Sequence, residues 1–125
     1  MSTQDLKPGT SYPAVIGSIL VKLRGQQGVL QSDLAQAVGV TQATWSRIEN
    51  GSSALTIEQL GLAAARLGVP PSQILQLTEQ GVAQLNQRGV RVAPTRDAVS
   101  LDSGTALIGA AALGALIAAV FLKGK

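Results

Sequence analysis

The chain has 125 residues, with 14% charged and 2% aromatic residues, a formal net charge of +3, and neither His nor Cys. Disulfides, thiolate or imidazole nucleophiles, His general bases and Cys/His zinc sites are therefore excluded. Residues 1–103 carry eight Lys/Arg against seven Asp/Glu, so the sequence pI near 9.8 owes much to Lys123 and Lys125 and is not a diffuse nucleic-acid signature.

Residues 1–12 (MSTQDLKPGTSY) are polar, do not have the pattern of a signal peptide, and read as a flexible lead-in. Helical punctuation begins at Pro13. Val15, Ile16, Ile19, Leu20 and Leu23 form one apolar stripe, with Pro13 in the first turn and Gly25 and Gly28 at the end. Leu34, Ala35 and Val38 mark a short second helix stopped by Gly39, and Thr41 caps a third that runs to Asn50 before Gly51. Thr56-Ile57-Glu58-Gln59 is a capping box ahead of Leu60, Ala63, Ala64 and Leu67, closed by Gly68. Pro70-Pro71-Ser72 opens a fifth helix through Ile74, Leu75 and Leu77, extended past Val82 and Leu85 to Arg88. No strand is predicted over 13–88. Residues 89–103 read as a linker, because Pro94 and scattered charges argue against a packed element around Val90-Arg91-Val92.

Residues 105–122 hold no charge. Eighteen helical residues extend roughly 27 Å, near the ~30 Å of a hydrocarbon core, and Leu107, Ile108, Leu113, Leu116, Ile117, Val120, Phe121 and Leu122 favour insertion. Seven Ala and two Gly dilute that tendency. The expectation is a separate C-terminal hydrophobic helix over 104–125, spanning the inner membrane from Thr105 to Leu122 with the N-terminal domain in the cytoplasm. A buried or self-associating helix, in a cytoplasmic protein, is the alternative; Ala111, Gly114, Ala115 and Ala118 on one side also suit dimerisation of the tail.

Gln31–Val38 and Gln42–Asn50, joined through Gly39, have the form of a helix-turn-helix. Ala35 is small where the helices cross, and Val40, Trp45 and Ile48 have the phase of core residues. The opposite face offers Gln42, Ala43, Thr44, Ser46 and Arg47. Such a face suits a major groove: Gln pairs with adenine, Arg with guanine, and Ala meets a thymine methyl. Asp33, Glu58 and Glu79 lack partners at catalytic spacing, and Gly104, Gly109 and Gly114 are not followed by the Lys-Ser/Thr of a phosphate loop. No enzyme activity, metal site or cofactor is expected.

Residues 15–77 resemble the lambda-repressor/Cro-type helix-turn-helix domain, the XRE family. The resemblance is carried by Ile16-Gly17, Lys22-Leu23-Arg24, Gln31-Ser32-Asp33-Leu34-Ala35, Gly39-Val40-Thr41-Gln42, Ser46-Arg47-Ile48-Glu49-Asn50-Gly51 and Leu67-Gly68-Val69-Pro70. It implies a compact all-α five-helix domain over residues 13–88 that binds a pseudo-palindromic operator in double-stranded DNA as a homodimer. It also implies that Gln31 meets phosphate, that Gln42, Ala43 and Arg47 face bases, and that Thr41, Thr44, Ser46 and Asn50 position the backbone. Arg24 and Glu49 are implied to be a structural ion pair. The chain departs from the pattern at Leu30, where a Ser or Thr N-cap is usual, at Gly25 and at Trp45. The first two departures cost about 1 kcal/mol each in local stability. The recognition face is also poor in Lys and Arg, so one domain alone is expected to hold DNA weakly.

The reading that follows is a prokaryotic or phage-type transcriptional regulator, membrane-tethered. Two others stay open: an antitoxin-like autorepressor, and a membrane-anchored structural adaptor that uses its helix-turn-helix for protein contacts.

Overall fold

A computed structural model describes residues 7–101 and 105–123. In chain order the elements are β1 (Lys7–Ser11), α1 (Tyr12–Gln27), α2 (Gln31–Val38), α3 (Gln42–Glu49), α4 (Ile57–Leu67), α5 (Pro71–Gln87), β2 (Arg91–Ala93), α6 (Arg96–Leu101), β3 (Thr105–Leu107) and α7 (Ala110–Lys123).

Local chemistry sets the limits of α1 to α5. Ser11 caps α1 by accepting from the Ala14 amide at 3.3 Å, with Pro13 in the first turn. Gly28 ends α1 at φ 68°, a left-handed conformation that glycine adopts without a Cβ penalty. The capping box of α4 is complete: the Gln59 amide donates to Thr56 Oγ1 at 3.0 Å, and the Thr56 amide donates to Gln59 Oε1 at 2.9 Å. Leu30, with no acceptor on its side chain, leaves α2 with half a box: its own amide donates to Asp33 Oδ2 at 3.0 Å. The Gln27 side-chain Nε2 donates to the Leu67 carbonyl at 2.7 Å, satisfying one of the free carbonyls at the end of α4 and tying it to the end of α1.

The core is one cluster. Val15, Ile19, Leu20 and Leu23 of α1 meet Leu34 of α2, Trp45 and Ile48 of α3, Leu60, Ala63 and Ala64 of α4, and Ile74 and Leu85 of α5. Leu113 and Ile117 of α7 belong to the same cluster. A Cβ on Gly81 of α5 would sit 3.3 Å from Val15 Cγ1 and 3.7 Å from Ile117 Cγ2, so the missing side chain makes room where α1, α5 and α7 converge.

The fold is mostly helical, but three expectations for the chain ends are corrected. The first is the all-α class: β1, β2 and β3 form a parallel sheet of order β2-β1-β3. Gly9, Thr10 and Ser11 stand opposite Arg91, Val92 and Ala93, while Lys7, Pro8 and Gly9 stand opposite Thr105, Ala106 and Leu107. Within the N-terminal stretch expected to be flexible, residues 7–11 are therefore the central strand, with Thr10 and Ser11 buried; residues 1–6 lie outside the described residues. The second correction concerns the linker. Its described part contains β2 and α6, and Val90 beside β2 is buried. Residues 102–104 lie outside the described residues.

The third correction is the membrane span from Thr105 to Leu122, on which the expected bilayer partner and inner-membrane location rested. Thr105–Leu107 is a strand, its pairing continued by the Ile108 amide donating to the Gly9 carbonyl at 2.8 Å. The helix left after it, Ala110–Lys123, has 14 residues, or about 21 Å at 1.5 Å per residue, against a hydrocarbon core of about 30 Å. Among the described residues no helix is long and apolar enough to cross a membrane. Nor is α7 separate. Leu113, Ile117 and Val120 are buried, and the helix packs on α1 and α5.

If α7 belongs to the core, Ile117→Ala destabilises the fold by about 2–5 kcal/mol. Leu107→Ala, at a side chain 53% exposed, changes it by no more than about 1 kcal/mol. Urea unfolding of the full chain measures both; equal, negligible effects would detach α7 from the domain.

Candidate nucleic-acid interface

The interface is built on α3. Thr41 caps it, accepting from the Thr44 amide at 3.1 Å and donating its own hydroxyl proton to Thr44 Oγ1 at 3.0 Å. Arg47 Nη2 donates to the same Thr44 oxygen at 3.2 Å, so Thr41, Thr44 and Arg47 form a chain along one side of the helix. Thr41, Gln42, Ala43, Arg47 and Asn50 are exposed, and Gln31, Thr44 and Ser46 are half-buried. Trp45 and Ile48 point the other way and are fully enclosed.

A single carboxylate holds α3 against the domain. Glu49 is 5% exposed. Its Oε2 accepts from Arg24 Nε at 2.7 Å and from the Trp45 indole N–H at 2.8 Å, and its Oε1 accepts from Arg24 Nη2 at 3.0 Å and Gln31 Nε2 at 2.8 Å. The Arg24 fork supplies the counter-charge that makes burial of the carboxylate tolerable, and the indole and amide donors saturate it. Gln31 completes the link to the surface: Gln42 Nε2 donates to Gln31 Oε1 at 3.4 Å. The first side chains of α2 and α3 are thus joined to each other and, through Gln31, to the buried acid.

Two glycines let α3 come this close to α1. A Cβ on Gly17 would lie 2.5 Å from the carbonyl oxygens of both Ile48 and Glu49, a contact no side chain tolerates. Gly51, at φ 83°, would place a Cβ 2.6 Å from the Ala14 Cα and Cβ.

Of the residues singled out from sequence, the structure brings together Gln31 with Gln42, Thr41 with Thr44 and Arg47, and Arg24 with Glu49. Ala43 and Ser46 lie on α3 without a side-chain hydrogen bond among the described residues. Asn50 behaves differently. Its Oδ1 accepts from the Ser52 amide at 2.9 Å and the Ser52 hydroxyl at 2.5 Å, so it closes the turn after α3. Sequence reasoning missed the indole–carboxylate bond, although Trp45 and Glu49 are four residues apart and therefore neighbours on one helix face. It also missed Gln31 as a partner of Glu49 and Gly17 as the point of contact, which depend on how α1, α2 and α3 cross.

Glu49→Ala leaves the Arg24 guanidinium, the Trp45 indole N–H and the Gln31 amide without their acceptor. The expected loss is about 3 kcal/mol of folding stability, measured by urea unfolding followed through the Trp45 fluorescence. A loss below about 1 kcal/mol would mean that the network is incidental to the fold.

Comparison with known proteins agrees with this geometry. A family model described as helix-turn-helix matches residues 20–74. Among solved structures, the clp gene regulator ClgR from Corynebacterium glutamicum is similar with a TM-score of 0.60 and 23% identity, over 62% of this chain and 82% of that one. A point mutant of the restriction-modification controller protein C.Esp1396I is similar with a TM-score of 0.54 and 25% identity, over 58% of this chain and 94% of that one. No curated protein matches the chain in sequence. Over residues 20–74 the chain is therefore similar to the helix-turn-helix family, in agreement with the resemblance to the XRE family.

Proposed function

We propose that this chain is a sequence-specific DNA-binding transcriptional regulator that occupies its operator through α3. The observation that carries the reading is the exposed Gln42–Ala43–Arg47 face of α3, fixed in orientation by the buried Glu49 network behind it. Gln42 has the donor–acceptor pair that adenine presents in the major groove, Arg47 the fork that guanine presents, and Ala43 a methyl for thymine. Gln31 braces Gln42 from α2. Because Leu30 is no side-chain cap, the first amides of α2 stay open to a phosphate oxygen, while Thr41, Thr44 and Ser46 are the backbone-positioning residues of α3. The similar structures are named as a gene regulator and a controller protein, which supports a regulatory role.

Arg47 is the one cation of α3, and Arg24 is engaged by Glu49. Phosphate neutralisation by the recognition helix is therefore small, and affinity has to come from two domains on one operator. We read the active form as a homodimer on a pseudo-palindromic site, its recognition helices about one DNA turn (~34 Å) apart.

Selection of the full chain against random duplexes is the direct test. It is expected to yield a two-fold-symmetric motif. Gln42→Ala and Arg47→Ala each cost about 1–3 kcal/mol on that motif and relax preference at one base pair per half-site. Unchanged preference in both variants, or no enriched motif for the wild type, would remove the assignment of α3 as the reading helix.

A further inference from the structure

The inward turn of α7 creates a groove that the DNA-binding reading does not use. It lies between α1, the start of α7 and the end of α3, and has a volume of about 470 Å³, within the ~300–1,000 Å³ usual for small-ligand sites. Its walls are largely apolar: Val21 on α1, and Ile108, Ala111 and Leu113 on and before α7.

Three polar features converge on this apolar space. Ser18 is 8% exposed, lines the groove, and its hydroxyl has no hydrogen-bond partner among the described residues. It faces α7, with Oγ 3.8 Å from the point where a Cβ on Gly114 would stand. Lys22, one helical turn further along α1, brings Nζ to 3.9 Å from the same point and has no carboxylate partner among the described residues. The third feature is the N-terminus of α7. Gly109 occupies the cap position, its carbonyl accepting from the Leu113 amide at 3.0 Å, and it has no side chain with which to cap the first amides of the helix. Ala110 and Ala111, which carry two of those amides, line the groove. Glu49 and Asn50 also line the groove, but the Glu49 carboxylate is committed to Arg24, Trp45 and Gln31, and Asn50 Oδ1 to Ser52.

The Ser18 hydroxyl, the accessible tip of a residue otherwise nine-tenths buried, is free to bond a group held in the groove. An ammonium, a hydroxyl and a helix N-terminus together suit a single negative charge with two oxygens. The apolar walls suit a hydrocarbon body. A multiply charged phosphate would find a single cation, Lys22, among the lining residues. We propose that this groove binds a small monoanionic carboxylate with a short hydrocarbon body, its head between Ser18, Lys22 and the first turn of α7, and its chain along Val21 and Leu113. Gly114 is the gate residue: lacking a side chain, it keeps the space over Ser18 and Lys22 open. The site is independent of what α3 reads, so it stands or falls apart from DNA binding.

The experiment is titration of the ¹⁵N-labelled full chain with octanoate, and separately with octan-1-ol, followed by amide chemical shifts. Octanoate is expected to produce saturable shifts centred on Ser18, Lys22 and Ala110–Gly114, and to bind at least about tenfold more tightly than the alcohol. Lys22→Gln removes that preference for the acid, and Gly114→Leu abolishes binding by filling the groove. Equal binding of acid and alcohol by the wild type would overturn the proposal without recourse to any variant. So would an absence of saturable shifts, or shifts centred on the separate hollow beside Ile57 and Leu75.

Discussion

The Glu49 carboxylate is the point on which the arrangement of α1, α2 and α3 turns. It takes donors from each of them: the Arg24 guanidinium from α1, the Gln31 amide from α2 and the Trp45 indole from its own helix. Withdrawing an ion from water is costly, and only a full set of well-directed donors offsets that cost. Directional bonds to three helices specify a crossing geometry that apolar packing alone leaves looser. The approach they demand is possible because Gly17 presents no side chain to the carbonyls of Ile48 and Glu49. Carboxylate and glycine are complementary halves of one contact.

That contact reaches the exposed face in two short steps. Glu49 holds Gln31, and Gln31 holds Gln42, so a side chain suited to reading a base begins from a fixed place. Thr41, Thr44 and Arg47 restrain one another in the same way along the helix. Pre-ordering of this kind reduces the entropy lost on association. It matters more in a domain whose recognition helix has one positive charge, because little non-specific attraction makes up for imprecise contacts.

The ends of the chain close the domain from the other side. β1 lies between β2 and β3, so the segment before α1 is clasped by two segments that follow α5. This pairing spends Thr105–Leu107 as strand and starts α7 only at Ala110. Leu113, Ile117 and Val120 then leave water by packing on α1 and α5, at roughly 1.5–3 kcal/mol for each fully buried side chain. Within the uncharged run 105–122, Leu113, Ile117 and Val120 are thus accounted for by the domain's own core.

Much of the helix-turn-helix was legible in the sequence because its signals are local. Capping residues such as Thr41 and Thr56, left-handed glycines such as Gly28, Gly39 and Gly68, and the apolar phase of Leu34, Trp45 and Ile48 each act within a turn or two of their own position. The exposed polar face of α3 follows from that phase by elimination. The sheet was not legible. Lys7-Pro8-Gly9-Thr10-Ser11 has neither alternation nor β-branched enrichment, and it becomes a strand only because backbone partners arrive from the other end of the chain. The fate of the C-terminal run was equally hidden, since lipid and a protein core make the same demand of Leu113 and Ile117. Composition established that this helix must leave water; only the tertiary structure decided that α1 and α5, with the gap left by Gly81, are where it goes.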